Sequence, residues 1–409
     1  LATTDKHVFI CNIIEGAISL SNKNTVKSVN REAIIWLIGI VIFFALFTSI
    51  MGLANMFKTM MATAHDLILN TVVFIMGVAV LASAFAEILT EFGIVAVMNK
   101  LLSPIIKPLF DLPGVASLGI ITTYLSDNPA IISLASQIGF KKYFKKYQLP
   151  ALTNLGTAFG MGLIVTTFMI AQSKNGDSFL APVIIGNIGA FIGSIISVRI
   201  MMRYTKKEYG TDEYVFPNMN ASYDMLKDRK IRDGNAFQRF LEALLDGGKN
   251  GVQLAISIIP GVVIICTLVM MLTNGPSEAG TYTGAAYEGI GALTWIGGKL
   301  KFILSPIFGF SSPEALAFPL TSLGSVGAAL GLVPKMLSKG LIGKTEIAVF
   351  TAMGMCWSGY LSTHVAMMDA LDMRKLTSKA IISHTIGGLG GGIAARFIYL
   401  IYSWIVAAF

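Results

Sequence analysis

The stretch TTYLSDNPAIISLASQIG, residues 122–139, sets Ser126, Asp127, Asn128 and Pro129 in the middle of an apolar run. The chain around it is 54% hydrophobic and only 13% charged, so a carboxylate and an amide placed here stand out. Pro129 lacks an amide hydrogen and disfavours helical geometry in the residue before it, which predicts a helix break at Asn128. At membrane depth such a break is tolerated where it lines a water-filled cavity or a ligand site. The tip of a surface loop is the other reading, but a carboxylate at that depth is expensive and is usually placed for a pathway.

Membrane depth follows from the rest of the chain. Apolar runs of about 20 residues, the length that crosses the hydrocarbon core as a helix, fall at 32–55, 67–90, 149–171, 179–202, 251–273, 345–368 and 380–408. They are too long and continuous for barrel strands, so the fold class expected is an all-α polytopic membrane protein. The chain begins at Leu1, so upstream residues are expected to be missing or removed, and no signal peptide is visible in what remains. Cys11, Cys266 and Cys356 form no CxxC, which argues against a disulfide framework or zinc site. The formal charge of +8 sits mainly in short loops, where the positive-inside rule accounts for it without a nucleic-acid partner.

The order of the pieces repeats. IIGNIGAFIGSIISVRIMMRY (184–204) aligns without a gap on ISHTIGGLGGGIAARFIYLIY (382–402), and GTAFGMG (156–162) matches FTAMGMC (350–356). Two stretches rich in Gly, Pro, Ser and Thr, 113–139 and 313–335, occupy equivalent places, each behind a short basic or amphipathic piece suited to the interface. The expected organisation is an N-terminal segment and first span (1–64), a first repeat (65–203), a basic connector (204–250) and a second repeat (251–409). With Lys6, Lys23, Lys27 and Arg31 cytoplasmic, the connector and the cluster Arg374, Lys375 and Lys379 also fall inside. Each half then crosses an odd number of times, so the second is inverted. Inverted repeats, each with a broken or re-entrant helical hairpin, point to an alternating-access transporter with its site near the midplane. Hairpins and pairs of short spans give the same parity, and both stay open.

Polar residues inside the spans are the candidate solute contacts. Ser126, Asp127 and Asn128 come from the first hairpin, with Tyr124 as a stacking surface; Ser311, Ser312, Glu314, Thr321, Ser322 and Ser325 come from the second. Glu314 also fits an ordinary acidic first turn of a helix. Asn154, Asn187, Ser362 and His364 lie on the central and closing spans, and Ser358, Ser362 and Asp369 share one face of an uninterrupted helix. His364 suits either an interhelical hydrogen bond or a proton carrier. Glu87 has Arg396 as a partner it could take, while snorkelling to water suits Glu91. Gly186, Gly189 and Gly193, and Gly387, Gly391 and Ala395, have the spacing of close-packed membrane helices. No Walker motif, HExxH or nucleophile elbow appears, so no enzyme is expected.

With these residues on the page, the chain resembles the nucleoside-recognition (Gate) membrane proteins of the YjiH type. The resemblance rests on the paired halves, on PLFDLPGVASLGIITTYLSDNPAIISLA (108–135) with its counterpart at 306–330, and on TNLGTAFGMG (153–162) with FTAMGMC (350–356). Gate domains are similarly found in concentrative nucleoside transporters, ferrous iron permeases and spore maturation membrane proteins, which implies a hairpin that gates passage of a solute or ion. The expectation is a secondary transporter of a small polar solute such as a nucleoside, in the bacterial inner (plasma) membrane, N-terminus cytoplasmic. It needs no cofactor beyond a coupling sodium ion or proton, and its small-residue faces permit a homo-oligomer. A divalent metal permease using Cys356, Met353, Met355 and Cys266 is the runner-up, although no cluster has ligand spacing. A partner protein that recruits a cytoplasmic factor through 204–250 is the reading outside transport.

Overall fold

The computed structural model describes residues 27–173, 177–216 and 231–408, with all side chains among them except those of Pro129, Ser136, Ile138 and Ser362. Lys6, Cys11 and Lys23 therefore lie outside the described residues, as does part of the connector. Two compact units divide between Met56 and Phe57. The first holds α1, Arg31–Met51, capped by Asn30, whose side-chain oxygen accepts the Ala33 amide at 2.8 Å, and closed by Gly52 at φ 78°. At about 1.5 Å per residue its 21 residues are long enough to cross the hydrocarbon core.

The second unit contains both repeats. Helix α2 (Leu53–Asp66) runs through a π-helical turn (Leu67–Val72) into α3 (Val73–Glu91), then come α4 (Ile94–Phe110), α5 (Ala116–Leu125), α6 (Pro129–Ser136), α7 (Ala151–Thr157), α8 (Gly162–Ala171) and α9 (Leu180–Tyr209). The second series is α10 (Ala236–Pro260), a π-helical turn (Gly261–Cys266), α11 (Thr267–Thr273), α12 (Ala292–Phe308), α13 (Ala317–Ser322), α14 (Val326–Ser338), α15 (Lys344–Cys356), α16 (Tyr360–Ala370) and α17 (Thr377–Ala408). Six stretches among the described residues are long and apolar enough to cross a membrane. Six of the seven expected spans have a counterpart among them; the seventh, 345–368, does not, because its helix is interrupted at 357–359 between α15 and α16. The difference at 251–273 is that the helix already starts at Ala236, where Asn235 and Gln238 form a capping box, so this stretch of the expected connector is helical.

Backbone conformation marks the repeat more sharply than side chains do. Gly93 and Gly291 open α4 and α12 in the left-handed region, Asp111 and Gly309 close them there, and Met161 and Gly359 share that conformation in the central spans. Each pair is separated by the offset that aligns 184–204 on 382–402. The inversion is read from packing. Gly189 rests on Gly391 and Ala395, and Gly193 on Gly387, so α9 and α17, equivalent in the two halves, run antiparallel. The rods Leu53–Glu91 and Ala236–Thr273 do the same, Gly247 against Ser83 and Ala84, Gly251 against Ala79.

The interrupted segments are re-entrant. Helix α5 has 10 residues and α6 has 8, about 15 and 12 Å of rise against a hydrocarbon core of about 30 Å, so neither arm crosses alone. Loops sort to two faces. On one, Lys206 pairs with Asp111 at 2.6 Å and Arg232 with Glu87 and Glu91 at 2.7 and 2.9 Å. On the other, Lys344 meets Asp177 at 2.8 Å and Lys339 meets Asn274 at 3.2 Å. Glu87 thus takes Arg232 of the connector rather than Arg396, which lies against Gly309 at the end of α12. Glu91 is 4% exposed and ion-paired to Arg232, not snorkelling to water.

Candidate functional site

The first hairpin turns one step earlier than Pro129 alone predicts. Helix α5 ends at Leu125, Ser126 leaves helical geometry at φ −128° and ψ −107°, and Asn128 is already helical at φ −50° and ψ −36°. The expected break at Asn128 is corrected to Ser126 and Asp127. Pro129 instead starts α6, a position where its missing amide hydrogen costs nothing. The Asp127 carboxylate accepts the Asn128 backbone N–H at 2.7 Å, and the Ser126 hydroxyl returns to the Thr122 carbonyl at 2.7 Å.

Asn128 is 3% exposed and is the contact that organises the site. Its Nδ2 donates to the Ser358 carbonyl at 2.8 Å, while its Oδ1 has no hydrogen-bond partner. The central spans, expected as unbroken helices, are each interrupted beside it, between α7 and α8 and between α15 and α16. A Cβ at Gly160 would overlap the Asn128 amide, and so would a Cβ at Gly359. The amide thus sits between the breaks of both repeats. Four helix ends converge there, two N-termini and two C-termini, on a polar side chain with an uncommitted oxygen. Because the helix is interrupted at Trp357–Gly359, Ser358 faces Asn128 and does not share a helical face with Asp369, which pairs with Arg374 at the membrane surface.

Two polar clusters flank the tip. On the first side, the Tyr124 hydroxyl meets Thr166 Oγ1 at 3.1 Å, and Asn187 Nδ2 donates to the same hydroxyl at 3.0 Å and to the Val183 carbonyl at 2.9 Å. The Tyr124 ring occupies the space that a side chain at Gly162 would need. On the second side, Asn154 Nδ2 donates to Ser197 Oγ at 2.8 Å and to the Ala380 carbonyl at 3.1 Å. Ser197 Oγ meets His384 Nδ1 at 2.9 Å, His384 Nε2 reaches the Cys356 carbonyl, and His364 Nδ1 reaches the Tyr360 carbonyl. Tyr360 also bonds Thr385, the repeat equivalent of Asn187.

The second hairpin contributes differently. Thr321 and Ser322 bond the Ala317 and Pro319 carbonyls of their own helix, and Ser325 caps α14 by accepting the Ala328 amide at 3.2 Å. The Ser311 backbone amide and hydroxyl both donate to Glu346, at 2.7 and 2.6 Å, an arrangement that also ties down the start of α15. Ser312 Oγ is buried without a partner. Glu314 stands in the turn before α13, in a small cavity with Asn274, Lys335 and Lys339. Tyr124, Asp127, Asn128, Asn154, Asn187 and His364 therefore surround the breaks, whereas Thr321, Ser322 and Ser325 bond locally and Ser311 bonds Glu346, and Ser362 lies outside the described side chains. Cys356 rests on Gly193 and Gly391 and Cys266 on Gly331, and no metal cluster of three or more His, Cys, Asp or Glu occurs among the described residues.

Gly160, Ser197, Tyr360 and His384 were not singled out in the sequence. His384 stands in the aligned segment 382–402 opposite Gly186, and a titratable residue facing a glycine in a repeat was the signal available.

Residues 72–174 match the family model described as Gate, nucleoside recognition. That segment runs from α3 through the first hairpin to the end of α8, so the match covers the tip and one break, as the resemblance in the sequence implied. Among solved structures, the chain is similar to the concentrative nucleoside transporter CNTnw in an inward-facing substrate-bound state, with TM-score 0.50 and 15% identity over 78% of this chain and 73% of that one. A CNTnw variant in an outward-facing state gives TM-score 0.50 and 16% identity over 80% and 75%. At this identity the likeness is one of fold: an integral membrane protein built on the nucleoside-transporter plan. No curated protein matches the chain significantly.

Proposed function

We propose that the chain is a secondary transporter of a small polar solute of the nucleoside class, working by alternating access and coupled to a proton or a sodium ion. The observation that carries this reading is Asn128, a hairpin-tip amide seated between the breaks of both inverted repeats with its Oδ1 uncommitted. Amide and carboxylate groups are what the hydroxyls and base edge of a nucleoside need, and Asp127 and Asn128 supply them at the hairpin tip, with Asn187 and Asn154 in the two clusters that flank it. Asn128 also explains how movement would be shared, because retraction of the first hairpin withdraws a contact from both halves at once. The protein would reside in the bacterial plasma membrane with residues 27–31 cytoplasmic, and the glycine faces leave room for a homo-oligomer.

Thermal stability of the purified protein against uridine, adenosine, free nucleobases, amino acids and divalent metals, with and without sodium, tests the reading, since a ligand that binds the folded state raises apparent stability by mass action. A shift of several degrees with a nucleoside, lost in Asp127→Asn and Asn128→Ala, is expected. A shift with metals alone would replace the reading with an ion permease.

A further inference from the structure

We propose that His364 is the proton-binding group through which solute movement is coupled to proton movement, an inference that rests on the transport reading and names its coupling ion. Hydrogen-bond bookkeeping isolates this nitrogen. A carbonyl only accepts, so His384 Nε2 carries a hydrogen toward Cys356, and its Nδ1 is left to accept from the Ser197 hydroxyl. Ser197 in turn accepts from Asn154 Nδ2. Every nitrogen of His384 is thereby used. His364 donates its Nδ1 hydrogen to the Tyr360 carbonyl, which leaves the Nε2 lone pair buried and without a partner. The two imidazole centroids are 4.8 Å apart.

A buried polar atom without a partner calls for an account. Protonation breaks no hydrogen bond already made, but the buried positive charge then has to be met by water or an acceptor at Nε2. The Nε2 lone pair forms an N–H bond to an incoming proton, the Nδ1 hydrogen bond stays in place, no bond breaks, and the ring gains one positive charge. The same cluster holds a second uncommitted acceptor, Asn154 Oδ1.

The surroundings make the charge conditional. Helices α6 and α7, packed on α16, bring no titratable side chain, and α17 brings His384; Tyr360 lies on α16 itself, and Asp127 stands beyond Gly359 at the hairpin tip. Asp369, Arg374, Lys375 and Lys379 cluster at the membrane-face end of α16. No fixed carboxylate among the described residues pairs with the ring, so proton occupancy depends on which side of the membrane reaches it. In the first repeat the equivalents of His364 and His384 are Thr166 and Gly186, which places this chemistry in one half alone.

Two measurements test the assignment. In proteoliposomes an inward proton gradient should drive accumulation of labelled uridine several-fold above equilibrium in the wild type, and His364→Gln should lose that gradient-driven accumulation. The chain has four histidines, so nitrogen-15 NMR of labelled imidazoles can follow each ring between about pH 4 and about pH 8. One buried imidazole should become doubly protonated, and that signal should vanish in His364→Gln, or in His364→Asn if the first variant folds poorly. Uridine accumulation that survives both substitutions overturns the proposal, as does a His364 that stays neutral over the whole range. If the wild type moves no uridine, the transport reading fails by itself and the NMR titration still decides the proton site.

Discussion

At the scale of single residues, the fold leans on a few positions without slack. Gly359 combines φ 60°, where L side chains are strained, with contact against Asn128. Gly359→Ala should therefore lower stability by about 1–3 kcal/mol, read as a fall in melting temperature in detergent. In the loop before α12, burial pushes the Glu288 carboxyl up, but hydrogen bonds from the Thr283 hydroxyl and the Thr283 and Gly284 amides outweigh it and hold the group below its usual value. A depressed acid stabilises the fold above its unfolded pKa and loses that contribution as pH falls through the folded one. Glu288→Gln should flatten the loss of stability seen as pH drops below about 4.5, measured by thermal unfolding against pH.

Between elements, the guanidinium of Arg232 ties the connector to α3. Arg232 bridges Glu87 and Glu91 of α3 and approaches Asp246 of α10 at 3.5 Å, with Arg239 near Glu91 at the same distance. Arg232→Ala should cost about 1–3 kcal/mol, because Arg239 remains to answer the buried Glu91 carboxylate, and Arg232→Lys should recover part of it. This clamp was not legible in the sequence, where Arg232 was one cation among many in a polar segment and Glu87 had an equally plausible partner in Arg396. The spans, the hairpins and the repeat were legible, because hydropathy and Pro or Gly interruptions are local properties. The breaks at 158–161 and 357–359 were not, since a left-handed Met161 looks like any apolar residue and the helix appears continuous by composition. At the hairpin tip Pro129 alone predicts a break at Asn128, whereas the chain breaks at Ser126 and Asp127 and Pro129 begins the next helix, a difference of turn that composition does not carry.

For the whole molecule, the alternation of faces makes a simple forecast. Glu213 and Asp177 belong to opposite faces. Glu213→Cys and Asp177→Cys, each in a background lacking the native cysteines, should be labelled by an impermeant maleimide from opposite sides of intact cells, Asp177→Cys from outside. Labelling of both from one side would refute a membrane-crossing α9. How the halves meet could not be read from charge or hydropathy, because inverted packing is a relation between distant glycines.

That relation has a bearing on time scales. Where Gly189 and Gly193 of α9 meet Gly391 and Gly387 of α17, no layer of side chains separates the two backbones: an added Cβ at Gly189 would come within 2.7 Å of the Gly391 carbonyl oxygen, and one at Gly387 within 2.6 Å of that of Gly193. A seam with no rotamers to rearrange has no small motions available to it and must open as a unit or not at all. Its amide hydrogens should be among the last in the molecule to exchange with heavy water, slower by orders of magnitude than those of the hairpin tips.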